Sequence, residues 1–217
     1  MIIGIDSSLT ATGVSIPSII ENKILFDLFE INTNSKDHIY VRIDQILSVF
    51  RNLLDLGNSN EINSSEKIAV IEETVFASQQ ASRLGKVHSG IVNLFYSKGY
   101  NIIIVPPTDL KYVALGFGAI PHGKTRYKAE RKKTVTLNKK FVMDFAASIL
   151  CEANSGMELS LSDNQADAFV LSLLGMFLSD YMCKKAKYVK GIDPEILTRC
   201  KGILLSSKSR GRTKGGQ

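Results

Sequence analysis

Acidic side chains occur at three places in this sequence where an apolar segment gives way to a polar one. Asp6 follows the apolar residues 2–5, Glu72 and Glu73 follow the apolar residues 68–71, and Asp163 and Asp167 stand at the start of the last apolar segment. Burying a carboxylate costs free energy unless it is paired, hydrogen-bonded or bound to a metal. These positions are therefore candidates for a functional site. For Asp6 alone, hydrogen bonds from the hydroxyls of the following turn are an alternative explanation.

The spacing of the last acidic pair predicts that both carboxylates project from one face of a helix. Asp163 and Asp167 are four residues apart, and Asn164, three residues before Asp167, lies on nearly the same face. Ser162 can cap this helix, with Gln165 in the position of a capping box. Capping could explain Asp163, but it does not explain Asp167, which lies one turn further into the helix.

Carboxylates from two neighbouring strands and one helix end would converge on a single pocket and repel one another unless cations bind there. Oxygen ligands with water completing the coordination shell suit Mg²⁺, and Mn²⁺ is expected to substitute. Two such ions about 4 Å apart are the usual means of in-line phosphodiester hydrolysis. One ion activates the attacking water and the other stabilises the leaving 3′ oxygen, so no protein nucleophile is needed.

The hydrophobic pattern predicts an α/β fold that places these acids at strand and helix ends. Residues 2–5 are apolar without alternation, which is typical of a strand covered on both faces. A second strand through Gly13 and a third over residues 23–31 complete an antiparallel meander, and two parallel strands follow over residues 67–74 and 101–105. Gly57 is expected to end the first helix. Apolar residues at helical spacing predict helices over residues 37–56, 79–99, 109–115, 139–153 and 160–178.

The composition indicates a globular protein with an excess of positive charge. Hydrophobic residues make up 44% of the 217 residues and the formal net charge is +6, which suggests a polyanionic partner. Cys151, Cys183 and Cys200 are odd in number and lack the spacing of a zinc site or a disulfide framework. No signal segment or bilayer-spanning run is present, so we expect a cytoplasmic protein that contacts no membrane.

A dense cluster of positive charge lies in residues 117–138, where Glu130 is the single acid. Its basic residues are His122, Lys124, Arg126, Lys128, Arg131, Lys132 and Lys133. Because like charges packed this densely repel one another, the segment is interpreted either as a solvated loop or as an arm that contacts phosphates. Residues 185–217 are also basic and poor in large apolar residues. We expect them to form a partly disordered tail that either solubilises the chain or adds sequence-independent DNA affinity.

Several segments together resemble the Holliday-junction resolvases of the RuvC type, members of the RNase H-like nuclease superfamily. The matching segments are GID with a following TG, VIEETVFA, LGKVHSG and QADAFVLSL, spread over most of residues 1–178. The resemblance implies an RNase H-like mixed five-stranded sheet flanked by helices, with residues 1–184 forming the nuclease domain. It also implies a homodimer that binds four-way junctions and makes paired symmetric nicks with Mg²⁺ held at four acidic positions.

The resemblance places the four metal ligands at Asp6, Glu72, Asp167 and the residue three before Asp167. That fourth residue is Asn164 here, where the family has an acid or histidine, and the adjacent Asp163 could substitute for it. An Asn carbonyl can also bind a hard cation, although without charge. Both assignments therefore stay open.

Glu73 is an alternative to Glu72, because placing Phe76 in the family's register favours it. The family's pattern of an apolar residue followed directly by the acid favours Glu72, which follows Ile71. Strand alternation sends the two side chains to opposite faces, so only one of them can be the ligand. Phe76 itself is either a core residue or an aromatic that stacks on an unpaired base at the junction centre.

The resemblance also implies basic residues near the scissile phosphate. Lys111 matches one such catalytic lysine and Lys139 matches another, and both could offset the charge that develops on the phosphate. Lys140 and the basic residues of the segment 117–138 are expected to bind DNA. This segment and the tail are additions relative to the bacterial members of the family.

Other functions are compatible with parts of the sequence. GID followed by hydroxyl residues also resembles the first phosphate turn of sugar kinases and actin-like ATPases, but their second phosphate loop and adenosine motif are missing from the sequence. A nuclease of the same fold that cuts flaps or other branched substrates is a second alternative. A junction-binding scaffold with weakened catalysis, suggested by Asn164, is the third. The prediction is a crossover junction endodeoxyribonuclease.

Overall fold

The computed structural model describes residues 1–20, 23–59, 67–74, 81–116, 139–153 and 160–179, so the basic segment and the tail lie outside the described residues. The strands are β1 (Ile2–Asp6), β2 (Ala11–Ile20), β3 (Lys23–Asn32), β4 (Ile68–Glu72) and β5 (Asn101–Val105). The helices are α1 (Ile39–Ser59), α2 (Ala81–Ser97), α3 (Pro107–Gly116), α4 (Lys139–Ala153) and α5 (Asp163–Leu178). Within these ranges, no helix is both long and apolar enough to cross a lipid bilayer.

The described strands form one sheet in the order β3-β2-β1-β4-β5, with β1 in the middle. β2 is antiparallel to β1 and β3, whereas β4 runs parallel to β1 and β5 runs parallel to β4. This topology confirms the predicted α/β fold, an antiparallel meander followed by two parallel strands. Because Ile5 lies opposite Ile71, the carboxyl ends of β1 and β4 lie side by side.

Hydrophobic cores cover both faces of the sheet. On one face α3, α4 and α5 pack on side chains that include Ile2 and Val70. On the other face α1 and α2 pack on side chains that include Ile3, Ile5 and Ile71. Because successive side chains of a strand point to opposite faces, β1 supplies both cores, and all of its residues are buried. This is the physical reason for its unalternating apolar sequence.

Helix α5 lies unusually close to the middle of the sheet, and two glycines permit this. A Cβ added at Gly4 would lie 2.1 Å from the Ala168 carbonyl oxygen and 2.4 Å from the Ser172 amide nitrogen. A Cβ at Gly13 would lie 2.1 Å from the Asn164 carbonyl oxygen. These distances are far below van der Waals contact, so both positions require the absence of a side chain. Gly13 thus lets the first turn of α5 approach the beginning of β2, and Gly4 lets the middle of α5 approach the middle of β1.

Several element boundaries differ from the sequence expectations by a few residues. α1 continues through Gly57 to Ser59, because an interior glycine costs a helix only about 1 kcal/mol relative to alanine. β4 ends at Glu72 rather than at residue 74, although the Glu73 amide still donates to the Val105 carbonyl at 2.8 Å. α3 begins at Pro107, two residues earlier than expected, since the fixed φ of proline suits the first position of a helix.

Candidate metal centre

Three carboxylates converge where β1, β4 and α5 meet. Asp6 is the last residue of β1 and Glu72 is the last residue of β4, so the two acids end neighbouring parallel strands. Asp167 is in the second turn of α5, the helix that packs across these strands. A carboxylate oxygen from each of the three residues lies within 4.8 Å of one from each of the others. Asp6 is buried, with 7% of its surface exposed.

Strand alternation explains why Glu72, and not Glu73, is in this cluster. The Val70 side chain belongs to the core beneath α5 and the Ile71 side chain to the core beneath α1 and α2. Glu72 therefore faces α5, as Asp6 does, whereas Glu73 faces the opposite side of the sheet. In agreement with this placement, the charge of Glu73 acts on His88 of α2. The geometry thus brings together Asp6, Glu72 and Asp167.

A capping box fixes the first turn of α5, as the sequence predicts. The Ser162 hydroxyl accepts a hydrogen bond from the Gln165 amide at 3.1 Å, and the Ser162 amide donates to Gln165 Oε1 at 3.1 Å. The Ser162 hydroxyl also donates to the carboxylate of Glu30 on β3. Asp163 lies in the first turn of α5, where the helix dipole stabilises a negative charge. It is outside the three-carboxylate cluster. Its assignment as a metal ligand stays a prediction.

Asn164 ties α5 to the neighbouring strand. Its side-chain nitrogen Nδ2 donates to the Ala11 carbonyl at 2.8 Å and lies 3.5 Å from Glu30 Oε1. The side-chain nitrogen of Asn164 is thus hydrogen-bonded to the beginning of β2. This contact helps to fix the position of α5 about one turn before Asp167. Coordination of a cation through its carbonyl oxygen stays a prediction.

Sequence reasoning did not identify Arg42, which forms hydrogen bonds to the turn that follows Asp6. This arginine is 8% exposed. Its Nη2 donates to the Leu9 carbonyl and to Thr10 Oγ1, both at 3.1 Å, and its Nε donates to Thr33 Oγ1 at 2.9 Å. A sequence signal was present, because Arg42 lies four residues before the fully buried Ile46 and therefore belongs to the inward stripe of α1.

His88 is a second residue near the cluster to which the sequence assigned no role. Its Nδ1 lies 3.3 Å from the Ser7 hydroxyl, and the backbone of Glu72 is close enough to the ring to act on its pKa. Burial lowers the pKa of His88, and the charge of Glu73 and the Glu72 carbonyl oppose this shift without cancelling it. Ser7 is 81 residues away in the chain, so no local pattern could have predicted the contact.

The other predicted site residues are partly within the described ranges. Lys111 is half-buried in α3, Lys139 begins α4, and Lys140 is exposed in the first turn of that helix. The catalytic roles of Lys111 and Lys139 and the DNA-binding role of Lys140 stay predictions. The remaining predicted DNA-binding residues lie outside the described residues: Phe76, Lys124, Arg126, Lys128, Arg131, Lys132 and Lys133.

The donor set fits a hard divalent cation. Three carboxylates within 4.8 Å of one another concentrate negative charge at a partly buried edge, which a cation would offset. All three offer oxygen ligands, which Mg²⁺ and Mn²⁺ prefer, and none of the three is a soft thiolate. The residues brought together at this edge therefore suggest that a divalent metal is used.

Comparison with known proteins identifies the fold. No family model matches the sequence, and no curated protein matches it. RuvC of Thermus thermophilus is similar in structure, with a TM-score of 0.55 and 17% sequence identity over 79% of this chain and 90% of that one. T. thermophilus RuvC in complex with Holliday junction substrate gives a TM-score of 0.54 and 15% identity over 79% and 90% of the two chains.

A Fowlpox virus resolvase in complex with substrate Holliday junction DNA matches less closely, with a TM-score of 0.44 and 18% identity over 85% of this chain and 99% of that one. The topology described above is that of the RNase H-like α/β class. Within this class, the chain has the fold of the RuvC-type resolvases, as its motifs predicted.

Proposed function

We propose that this chain is a metal-dependent endonuclease that resolves four-way DNA junctions by paired symmetric nicks. One observation carries the proposal: in a RuvC-type fold, carboxylates from β1, β4 and α5 lie within 4.8 Å of one another. A RuvC structure of this fold is in complex with Holliday junction substrate, which supports branched DNA as the substrate of this chain. The finer activity is a crossover junction endodeoxyribonuclease.

In this mechanism, Asp6, Glu72 and Asp167 would hold Mg²⁺, and Asp163 or the Asn164 carbonyl would complete the set. A divalent metal bound there would supply the activation of a water and the stabilisation of the leaving 3′ oxygen for in-line hydrolysis. The protein contributes position: the ends of two parallel strands set the spacing of Asp6 and Glu72, and α5 carries Asp167 to them. Lys111 and Lys139 are proposed to contact the scissile phosphate and to offset its developing charge.

The proposed domain organisation of the whole chain rests on the same resemblance to RuvC-type resolvases. Residues 1–184 form the nuclease domain with a basic insertion near residues 117–138, and residues 185–217 form a basic tail. A four-way junction has nearly two-fold symmetry, so a homodimer with two identical sites would match it and cut both strands symmetrically. Sedimentation of the protein alone and with a junction tests this assembly, and a single protomer on each junction would contradict it.

The test of the function is cleavage of a labelled, immobile four-way junction, a flap and a linear duplex, each with and without Mg²⁺. We expect paired symmetric nicks in the junction, only when Mg²⁺ is present. Equal cutting of the flap would instead indicate a broader structure-specific nuclease. Tight junction binding without cutting, in Mg²⁺ and in Mn²⁺, would indicate a scaffold.

The basic segment provides a separate prediction about DNA binding. Changing Arg131, Lys132 and Lys133 to alanine should weaken junction binding and make it less sensitive to salt. Each lost phosphate contact lowers the slope of log affinity against log salt by about 0.9, so the expected decrease is about 2 to 3. The measurement is junction affinity by fluorescence anisotropy across a salt series.

The matched control removes the same number of positive charges from residues outside the basic segment. It is a triple alanine variant of Arg51, Lys67 and Lys98, which lie on α1, before β4 and after α2. We expect this control to leave the salt slope within about one unit of wild type. Equal slopes for the two triple variants would remove the phosphate-arm proposal.

A further inference from the structure

We propose that His88 is a positioning residue for the candidate metal centre, holding the ends of β1 and β4 at the separation that brings Asp6 and Glu72 together. That the centre cleaves DNA rests on the proposed function, whereas the contacts of the His88 ring are those of the structure itself. Nothing in the sequence assigned a role to this histidine.

The contacts of the ring join the two strand ends. Its Nδ1 is 3.3 Å from the hydroxyl of Ser7, the residue directly after Asp6. The backbone of Glu72, the last residue of β4, is also close enough to the ring to raise its pKa by hydrogen bonding. One side chain therefore contacts the backbone of one candidate ligand and the immediate neighbour of another.

Helix α2 gives the ring a fixed base. Val87 and Ile91, on either side of His88 in the sequence, are almost fully buried against the sheet at 1% and 0% exposure. Gly90, on the same helix, allows close packing on α1, since a Cβ there would already be 3.3 Å from a Leu47 methyl group. The imidazole is thus held by a well-packed helix rather than by a loop, which is what a positioning group requires.

The neutral imidazole matches its two partners. It has one N–H donor and one nitrogen acceptor, and it meets one carbonyl, which only accepts, and one hydroxyl, which can donate. Glutamine also offers a donor and an acceptor, whereas alanine offers neither. Loss of the ring should let the two strand ends relax apart, which would weaken a cation held by carboxylates from both.

Groups that orient metal ligands typically change metal affinity by about 10- to 100-fold when they are removed. We therefore expect His88→Ala to weaken Mn²⁺ binding by about 10- to 100-fold, and His88→Gln to recover most of that loss. Junction affinity without divalent metal should stay within about twofold of wild type, because the ring is engaged with protein groups on β4 and beside β1. Cleavage should fall at low Mn²⁺ and recover as Mn²⁺ is raised.

The experiment uses the full chain and measures Mn²⁺ binding without DNA by electron paramagnetic resonance, alongside junction cleavage at increasing Mn²⁺. Ser7→Ala provides a second variant that keeps the ring and removes one partner. The positioning role predicts that Ser7→Ala has a smaller effect than His88→Ala and that the double variant is no worse than His88→Ala alone. Ser89→Ala, an exposed change on the same helix, is the matched control.

The outcomes separate this inference from the proposed function. Wild-type Mn²⁺ affinity in His88→Ala, or fully additive losses in the double variant, would overturn the positioning role while leaving junction cleavage intact. A wild-type protein that binds Mn²⁺ but cuts no junction would overturn the proposed function, and a loss of Mn²⁺ in His88→Ala would still support the positioning role. If His88→Ala does not fold, unchanged Mn²⁺ affinity in Ser7→Ala would overturn the inference.

Discussion

Asp167→Asn is expected to lower the rate of junction cleavage at least about a hundredfold, with junction affinity within about threefold of wild type. The substitution keeps the shape of the side chain and removes one of the three charges that would hold the cation. We also expect the substitution to change thermal stability in opposite directions without metal and with Mn²⁺. Without metal, the removal of one of three converging negative charges should raise the melting temperature, whereas the stabilisation that Mn²⁺ gives the wild type should be lost.

The measurements are single-turnover cleavage, junction binding in metal-free buffer, and thermal melting with and without Mn²⁺. Asp44→Asn, the same chemical change at an exposed position on α1, is the control for an altered net charge. If Asp167→Asn lost junction binding and cleavage together and melted lower in both buffers, Asp167 would be a folding residue. The proposed metal centre would then fail.

The neighbouring glutamates offer an internal comparison for the same site. Glu72→Gln should reduce cleavage as Asp167→Asn does, because Glu72 belongs to the cluster. Glu73→Gln should affect cleavage far less, because Glu73 lies outside the cluster and faces the other side of the sheet. The reverse ranking would assign the ligand to Glu73 and contradict the geometry of β4.

Gly4→Ala is expected to destabilise the fold by about 3 kcal/mol or more, at the upper end of what overpacking costs. The added Cβ would lie 2.1 Å from the Ala168 carbonyl oxygen and 2.4 Å from the Ser172 amide nitrogen, and these are backbone atoms of α5 that cannot rotate away. The helix would have to move off the sheet, and Asp167 would move with it. Chemical denaturation measures the free energy of unfolding, and cleavage at a temperature where the variant is still folded measures the displacement of α5.

Gly90→Ala is the matched control for this prediction. Its added Cβ would meet a Leu47 methyl group at 3.3 Å, which a rotation of that side chain can relieve. Alanine is also favoured over glycine inside a helix by about 1 kcal/mol, so the net change should stay within about 1 kcal/mol. Equal stability of Gly4→Ala and wild type would show that α5 does not lie on β1 at this distance.

Much of this fold could be predicted because its signals are local. The unalternating apolar run of β1 identified the strand that is buried on both faces, and Ser162 with Gln165 identified the start of α5. The acids at the ends of apolar elements identified all three members of the cluster. Each of these features depends on residues within a few positions of one another, which is the range over which strand period, helix period and capping act.

The tertiary structure alone decided which side chains meet across the sheet. Glu72 and Glu73 differ by one residue in the sequence, and only the packing of α5 on one face and α2 on the other shows which of them joins Asp6. The contacts of Arg42 with Leu9 and of His88 with Ser7 join residues 33 and 81 positions apart. Such contacts depend on the strand order and on how closely each helix approaches the sheet, and periodicity along one element carries no information about either. Local patterns therefore identified the acids and the elements that carry them, whereas the groups that hold those elements in register follow from tertiary packing.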